Sequence, residues 1–197
     1  MSRTDSGSRQ GRARALVNRL AEKPVVLVGM MGAGKTTVGR RLASRLGRQF
    51  IDSDEEIERA AQMSIPEIFE QRGEAEFRAG EMRVITRLLK EKNVVLATGG
   101  GAFVNPDTRA LVKAEAVSVW LKADVDVLFE RVSRRSNRPL LKTADPKATL
   151  EKLVADRYPI YAEADVTVVS RDVPQDNVAG DVVSALLNHL KQSQDRS

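Results

Sequence analysis

At 197 residues, with 42% hydrophobic and 30% charged side chains, the chain has the make-up of one soluble globular domain with a packed core, not of a disordered or membrane protein. The absence of cysteine excludes disulfides, thiolate catalysis and cysteine-based zinc sites, and a single histidine, His189, excludes a histidine cluster. Six of the 32 basic and two of the 27 acidic side chains lie in residues 1–23, leaving 26 against 25 in the remainder, so the formal charge of +5 does not describe a nucleic-acid-binding body.

The excess charge belongs to "MSRTDSGSRQGRARALVNRLAEK". It reads as a flexible basic extension, 1–23, ending in a short helix whose Ala13, Leu16, Val17 and Leu20 share one face. An organelle transit peptide has a similar Arg- and Ser-rich composition and is the less favoured reading. No segment approaches the roughly 20 apolar residues that span a bilayer, and a cytoplasmic protein is expected. From residue 24 onward, short valine-rich runs alternate with longer helical patterns. "PVVLVG" (24–29), "QFID" (49–52), "NVVLATGG" (93–100), "AVSVWLK" (116–122) and "DVTVVS" (165–170) read as strands. Helices are expected over 35–46, 54–62, 74–92, 107–114, 125–134, 150–164 and 175–192, the last holding His189 as a solvated residue. Buried strands separated by helices imply a single α/β domain, 24–197, with a largely parallel sheet and a ligand site at the strand C-terminal ends. The stretch "SRRSNRPLLKTADPKA", 133–148, lacks an apolar pattern and reads as a lid or a surface loop.

Gly29, Gly34, Lys35 and Thr36 fit G-x-x-x-x-G-K-[ST] between the first strand and the first body helix. Glycines let backbone N–H groups point at phosphate oxygens, the helix start adds partial positive charge, and Lys35 and Thr36 suit β/γ-phosphates and Mg²⁺. The motif says nucleoside triphosphate without saying enzyme. Asp52 and Asp54 follow in "FIDSDEEIE", two apart, so both project from one side of a strand end. A phosphotransferase needs one carboxylate near the metal and one at the attacking hydroxyl. The competing reading makes Asp54 the N-cap of "EEIERA" and Asp52 a mere strand end.

"GMMGAGKTT", "FIDSDEEIE", "SIPEIFEQRGEAEFRAGE", "LATGGGAF", "RRSNRPLL" and "ADRYPIYAEAD" stand in order along the chain. As a set they resemble the shikimate kinases from Pro24 to Val169, and residues 1–23 precede the usual start of that family. The resemblance implies a three-layer P-loop kinase fold with a five-stranded parallel sheet of order 2-3-1-4-5, flanked by helices and carrying a mobile lid. It implies transfer of phosphate from ATP, with Mg²⁺, to the 3-hydroxyl of shikimate, in the pathway to chorismate and aromatic amino acids. Gly32, Ala33, Gly34, Lys35, Thr36 and Thr37 would hold ATP, with Thr36 and Asp52 at the metal. Asp54 would deprotonate or orient the reacting hydroxyl, acting with Lys35 and Arg138 in catalysis. Arg78 and Arg157 would clamp the carboxylate of shikimate, and Gly99, Gly100 and Gly101 would let backbone approach its ring. Phe69, Phe77 and Glu81 would line or brace that pocket on helices spanning about 54–92. Arg138 would arrive with the lid, and Arg134 would lie against adenine. The implied partners are small molecules only, with no nucleic acid or membrane, and a monomer.

The guanidinium chemistry supports the clamp independently, because a planar fork matches a carboxylate in bidentate fashion. Each piece also has a plain alternative: a solvated Arg78, a tight turn at 99–101, a basic surface at 134–138, a helix kink at Pro159. A gluconate kinase or nucleoside-monophosphate kinase of similar architecture, and a nucleotide-binding regulator without chemistry, stand as rivals. The regulator would predict damage at Lys35, Asp54 or Arg138, and all three are present.

Overall fold

A computed structural model describes residues 3–134 and 144–194, with side chains from residue 11 onward. Five strands form one parallel sheet in the order β2-β3-β1-β4-β5: β1 Val25–Val28, β2 Gln49–Asp52, β3 Val94–Ala97, β4 Val117–Lys122 and β5 Val166–Val169. The order is the one that the family resemblance implied. β1 and β3 are buried at every position, which is why they read as continuous apolar runs, whereas the edge strand β5 alternates buried and exposed residues.

Between the strands run α2 Lys35–Leu46, α3 Ser53–Ala61, α4 Ile65–Leu88, α5 Pro106–Glu115, α6 Val125–Ser133, α7 Pro146–Tyr161 and α8 Gln175–Gln194. α2 lies close on the sheet because Gly39 has no side chain there; a Cβ would stand 2.5 Å from the Phe50 ring. Parallel pairing brings the C-terminal ends of β1, β2 and β3 to one edge, with the phosphate loop, Asp52 and the 99–101 turn side by side.

Two elements differ from the sequence reading. The segment read as an extension ending in a short helix is helical from Arg3 to Leu20 (α1), and its final turns are docked against α2 and α8. Leu16 and Leu20 are fully buried and Ala13 nearly so, so the apolar face found a partner surface. Arg48 holds the end of this helix, donating to the Lys23 carbonyl at 2.6 Å and the Ala21 carbonyl at 2.7 Å. α4 starts nine residues before the expected Glu74, at a capping box formed by Ser64 and Glu67 with Pro66 in the first turn. Gly73, at φ 79° and ψ 171°, kinks it, and that glycine masks the helical pattern upstream.

Candidate active site

The loop between β1 and α2 wraps back on itself. Gly34, at φ 90°, precedes the first turn of α2, a conformation that a side chain would strain and that places α2's free N–H groups at the loop's concave face. Lys35 Nζ donates to the carbonyls of Gly29 at 2.8 Å and Met30 at 2.9 Å, so the ammonium already spans the loop mouth. Ala33, expected at the nucleotide, is fully buried within the loop and exposes no surface to a ligand here. Thr36 Oγ1 donates to Asp52 Oδ2 at 2.8 Å.

Asp52, not Asp54, is the N-cap of α3: its Oδ1 accepts the Asp54 N–H at 3.1 Å. The alternative that made Asp54 the cap is thereby reversed. The two carboxylates are not alternate residues of one strand either, since Asp54 sits in the first turn of α3. Both still line one cavity of about 400 Å³ with Gly32, Gly34, Lys35, Thr36, Thr37 and the turn at Gly99–Gly100.

The triglycine turn, Gly99–Gly101, borders that cavity. A Cβ built on Gly99 would stand 2.7 Å from Asp54 Oδ1 and 3.0 Å from Glu81 Oε1. On Gly101 it would stand 2.5 Å from Arg78 Nη1, and on Gly100 3.8 Å from Arg157 Nη1. Thus Asp54, Glu81, Arg78 and Arg157, from α3, α4 and α7, all surround one turn that has no room for side chains. Arg78 is tied to Glu81 at 2.7 Å and Glu74 at 3.2 Å, and its guanidinium lies 5.0 Å over the Phe77 ring. Phe77 in turn packs on Phe69 at 4.6 Å between centroids. Glu81 is buried, with Oε1 lacking a hydrogen-bond partner. Burial pushes its carboxyl above the usual range, while Arg78 and Arg157 pull it back.

The family model for shikimate kinase matches residues 31–187. The chain is 56% identical to the shikimate kinase of Rhizobium leguminosarum bv. trifolii over 190 residues, covering 96% of this chain and 95% of that protein. It is 54% identical to the shikimate kinase of Rhodopseudomonas palustris over 187 residues, covering 95% and 92%. The chain belongs to the shikimate kinase family. Among solved structures, the shikimate kinase from Acinetobacter baumannii in complex with shikimate superposes with a TM-score of 0.84 at 40% identity, covering 88% of this chain and 97% of that one.

Within this shikimate kinase fold the predicted residues fall into three groups. Gly32, Gly34, Lys35, Thr36, Thr37, Asp52, Asp54, Gly99 and Gly100 line the phosphate-loop cavity, with Arg134 at its rim. Arg78, Glu81 and Arg157 gather around Gly99–Gly101, Glu81 next to Asp54 at Gly99, and Phe77 carries Arg78 over its ring and packs on Phe69. Arg138 lies outside the described residues, as does most of the expected lid. Arg134 is largely exposed and paired with Glu130. The residue that sequence reasoning missed is Arg131, one turn earlier on α6. It donates to Ser170 Oγ at 3.0 Å, the Arg171 carbonyl at 2.9 Å and the Gly32 carbonyl at 3.3 Å, so it ties the loop after β5 to the phosphate loop and lines the cavity. Gln175 lines the same wall, with its Oε1 2.9 Å from a Cβ placed on Gly34. The i,i+3 spacing of Arg131 and Arg134 was the available signal; their relative depth was not.

Proposed function

We propose that the protein transfers the γ-phosphoryl group of ATP to the 3-hydroxyl of shikimate. One observation carries the reading. Asp54 lines the phosphate-loop cavity beside the triglycine turn, and Arg78 and Arg157 stand around the same turn, so a small carboxylated alcohol gripped by the arginines can present a hydroxyl to Asp54 and the nucleotide.

The steps follow from the residues. ATP phosphates settle on the loop N–H groups at the start of α2, and Lys35 exchanges the Gly29 and Met30 carbonyls for phosphate oxygens. The Thr36 hydroxyl and Asp52 carboxylate form a pair of hard oxygen donors that fits Mg²⁺. No cluster of three His, Cys, Asp or Glu side chains suited to a metal exists among the described residues, as befits an ion held largely by the nucleotide. When bound, Mg²⁺ neutralises charge on the phosphates. Asp54 orients the attacking hydroxyl and accepts its proton as the bond to phosphorus forms. Arg78 and Arg157 fix the ring by its carboxylate, and Arg138 from the lid offsets charge on the transferred group. Arg131 and Arg134 bound the nucleotide's outer end. The family resemblance is what suggests a monomer in the cytoplasm; no helix among the described residues is long and apolar enough to cross a membrane.

ADP release from ATP with shikimate, gluconate, AMP or no acceptor tests the assignment. Turnover with shikimate alone is expected. Comparable or faster turnover with gluconate or AMP overturns it.

A further inference from the structure

Three consecutive glycines give the turn after β3 more backbone freedom than any other segment of the site, yet four functional side chains are arranged around it. Its outer groups are held locally. The Gly99 N–H donates to Ser53 Oγ at 3.1 Å, the Gly99 carbonyl accepts from Ala102 at 3.2 Å, and the Gly101 carbonyl accepts from Val104 at 3.1 Å. The central carbonyl is held by side chains of α7. Tyr161 donates its hydroxyl to Gly100 O, and Arg157 Nη1 makes a long contact of 3.4 Å with the same oxygen. Among the described residues, neither the Gly100 nor the Gly101 N–H donates to a protein acceptor.

A peptide unit is planar, so fixing the Gly100 carbonyl fixes where the Gly101 N–H points on the opposite edge. Arg157 makes only the long contact with the Gly100 oxygen and has five N–H donors, so donors remain for an incoming carboxylate. We propose that Tyr161 is a positioning residue for the acceptor: its hydroxyl locks the Gly100–Gly101 peptide beside Arg157. The ring is rigidly aimed, being fully buried with Trp120 and Tyr158 at centroid distances of 6.0 and 6.5 Å. Burial pushes the phenol up to about 12, so it remains a neutral donor at physiological pH. The inference rests on the proposed acceptor site and adds to it a residue that never touches the acceptor.

The test compares Tyr161→Phe with Tyr158→Phe, measuring kcat, both KM values and the melting midpoint with ATP and shikimate. Phenylalanine keeps each ring and its packing. Tyr158 serves as the control, because its hydroxyl donates to the Ala123 carbonyl within the same aromatic cluster and away from the turn. Tyr161→Phe should raise the KM for shikimate by about three- to tenfold, the range of one lost neutral hydrogen bond, and leave the KM for ATP unchanged. Tyr158→Phe should lower the melting midpoint as far as Tyr161→Phe does, with both KM values intact. An unaltered shikimate KM in Tyr161→Phe, or an equal rise in Tyr158→Phe, overturns the inference. The wild-type arm separates the two claims: no phosphorylation of shikimate by wild type overturns the functional assignment, whereas turnover with an unaltered KM in Tyr161→Phe overturns the role of Tyr161 alone.

Discussion

Asp54 has no capping duty to perform, because Asp52 takes it, and its Oδ1 is directed at the narrow space beside Gly99. Asp54→Asn keeps the shape and removes the base. Turnover should fall by about 10²- to 10⁴-fold, the usual worth of a positioned general base, with ATP affinity by titration unchanged. Glu81 poses a different balance. Its carboxyl is held above the ordinary range by burial, so its contribution to stability is favourable below the unfolded pKa and is lost as pH rises through the folded one. Above the folded pKa the ionised group costs stability, while its bond to Arg78 fixes that guanidinium beside the triglycine turn. Glu81→Gln should melt no lower than wild type at pH 7 and yet show a higher KM for shikimate. A lower melting point at an unchanged KM would reverse both assignments. Gly101→Ala tests the crowding directly: its Cβ would overlap Arg78 Nη1, so the arginine must move and shikimate KM should rise while ATP KM holds.

At the scale of elements, what could be read from sequence depended on how local the determining interactions are. The phosphate loop was legible because strand, glycines, lysine and helix start are contiguous, and the structure places them as read. α4 was read short because its opening turn is set by a Ser64–Glu67 box and then interrupted at Gly73, so no unbroken 3.6-residue period runs through it. α1 was underestimated for a related reason. Its apolar face is narrow, and what orders it is a tertiary surface on α2 and α8, together with Arg48 reaching back to the carbonyls of Ala21 and Lys23. The helix is thus part of the packed core and stands apart from the triglycine turn. Leu16→Ala should cost about 2–5 kcal/mol in urea denaturation, as large-to-small changes at fully buried leucines do, while both KM values stay as in wild type.

Across the whole molecule, the parallel α/β layering and the phosphate loop could be read from alternation and motif, whereas the strand order and the grouping of residues around the triglycine turn came only with the resemblance to a family. Arg78 and Arg157 sit on different helices far apart in sequence; taken singly, Arg78 reads as a solvated arginine and the segment of Arg157 as a helix kink, and only the resemblance to a family placed them together. Arg131 escaped notice because its partners are backbone carbonyls and a serine from two distant loops, which no spacing encodes. The account as a whole turns on one proposed charge interaction, that of the acceptor's carboxylate with two guanidinium groups gathered with Asp54 around the triglycine turn. Its most direct test is kcat/KM for shikimate against shikimate methyl ester, which keeps every hydroxyl and removes the charge. Loss of one partner from a desolvated charge pair costs about 2–5 kcal/mol, so the ester should be poorer by at least about 30-fold. Equal kcat/KM for acid and ester would contradict the clamp and, with it, the assignment of the site.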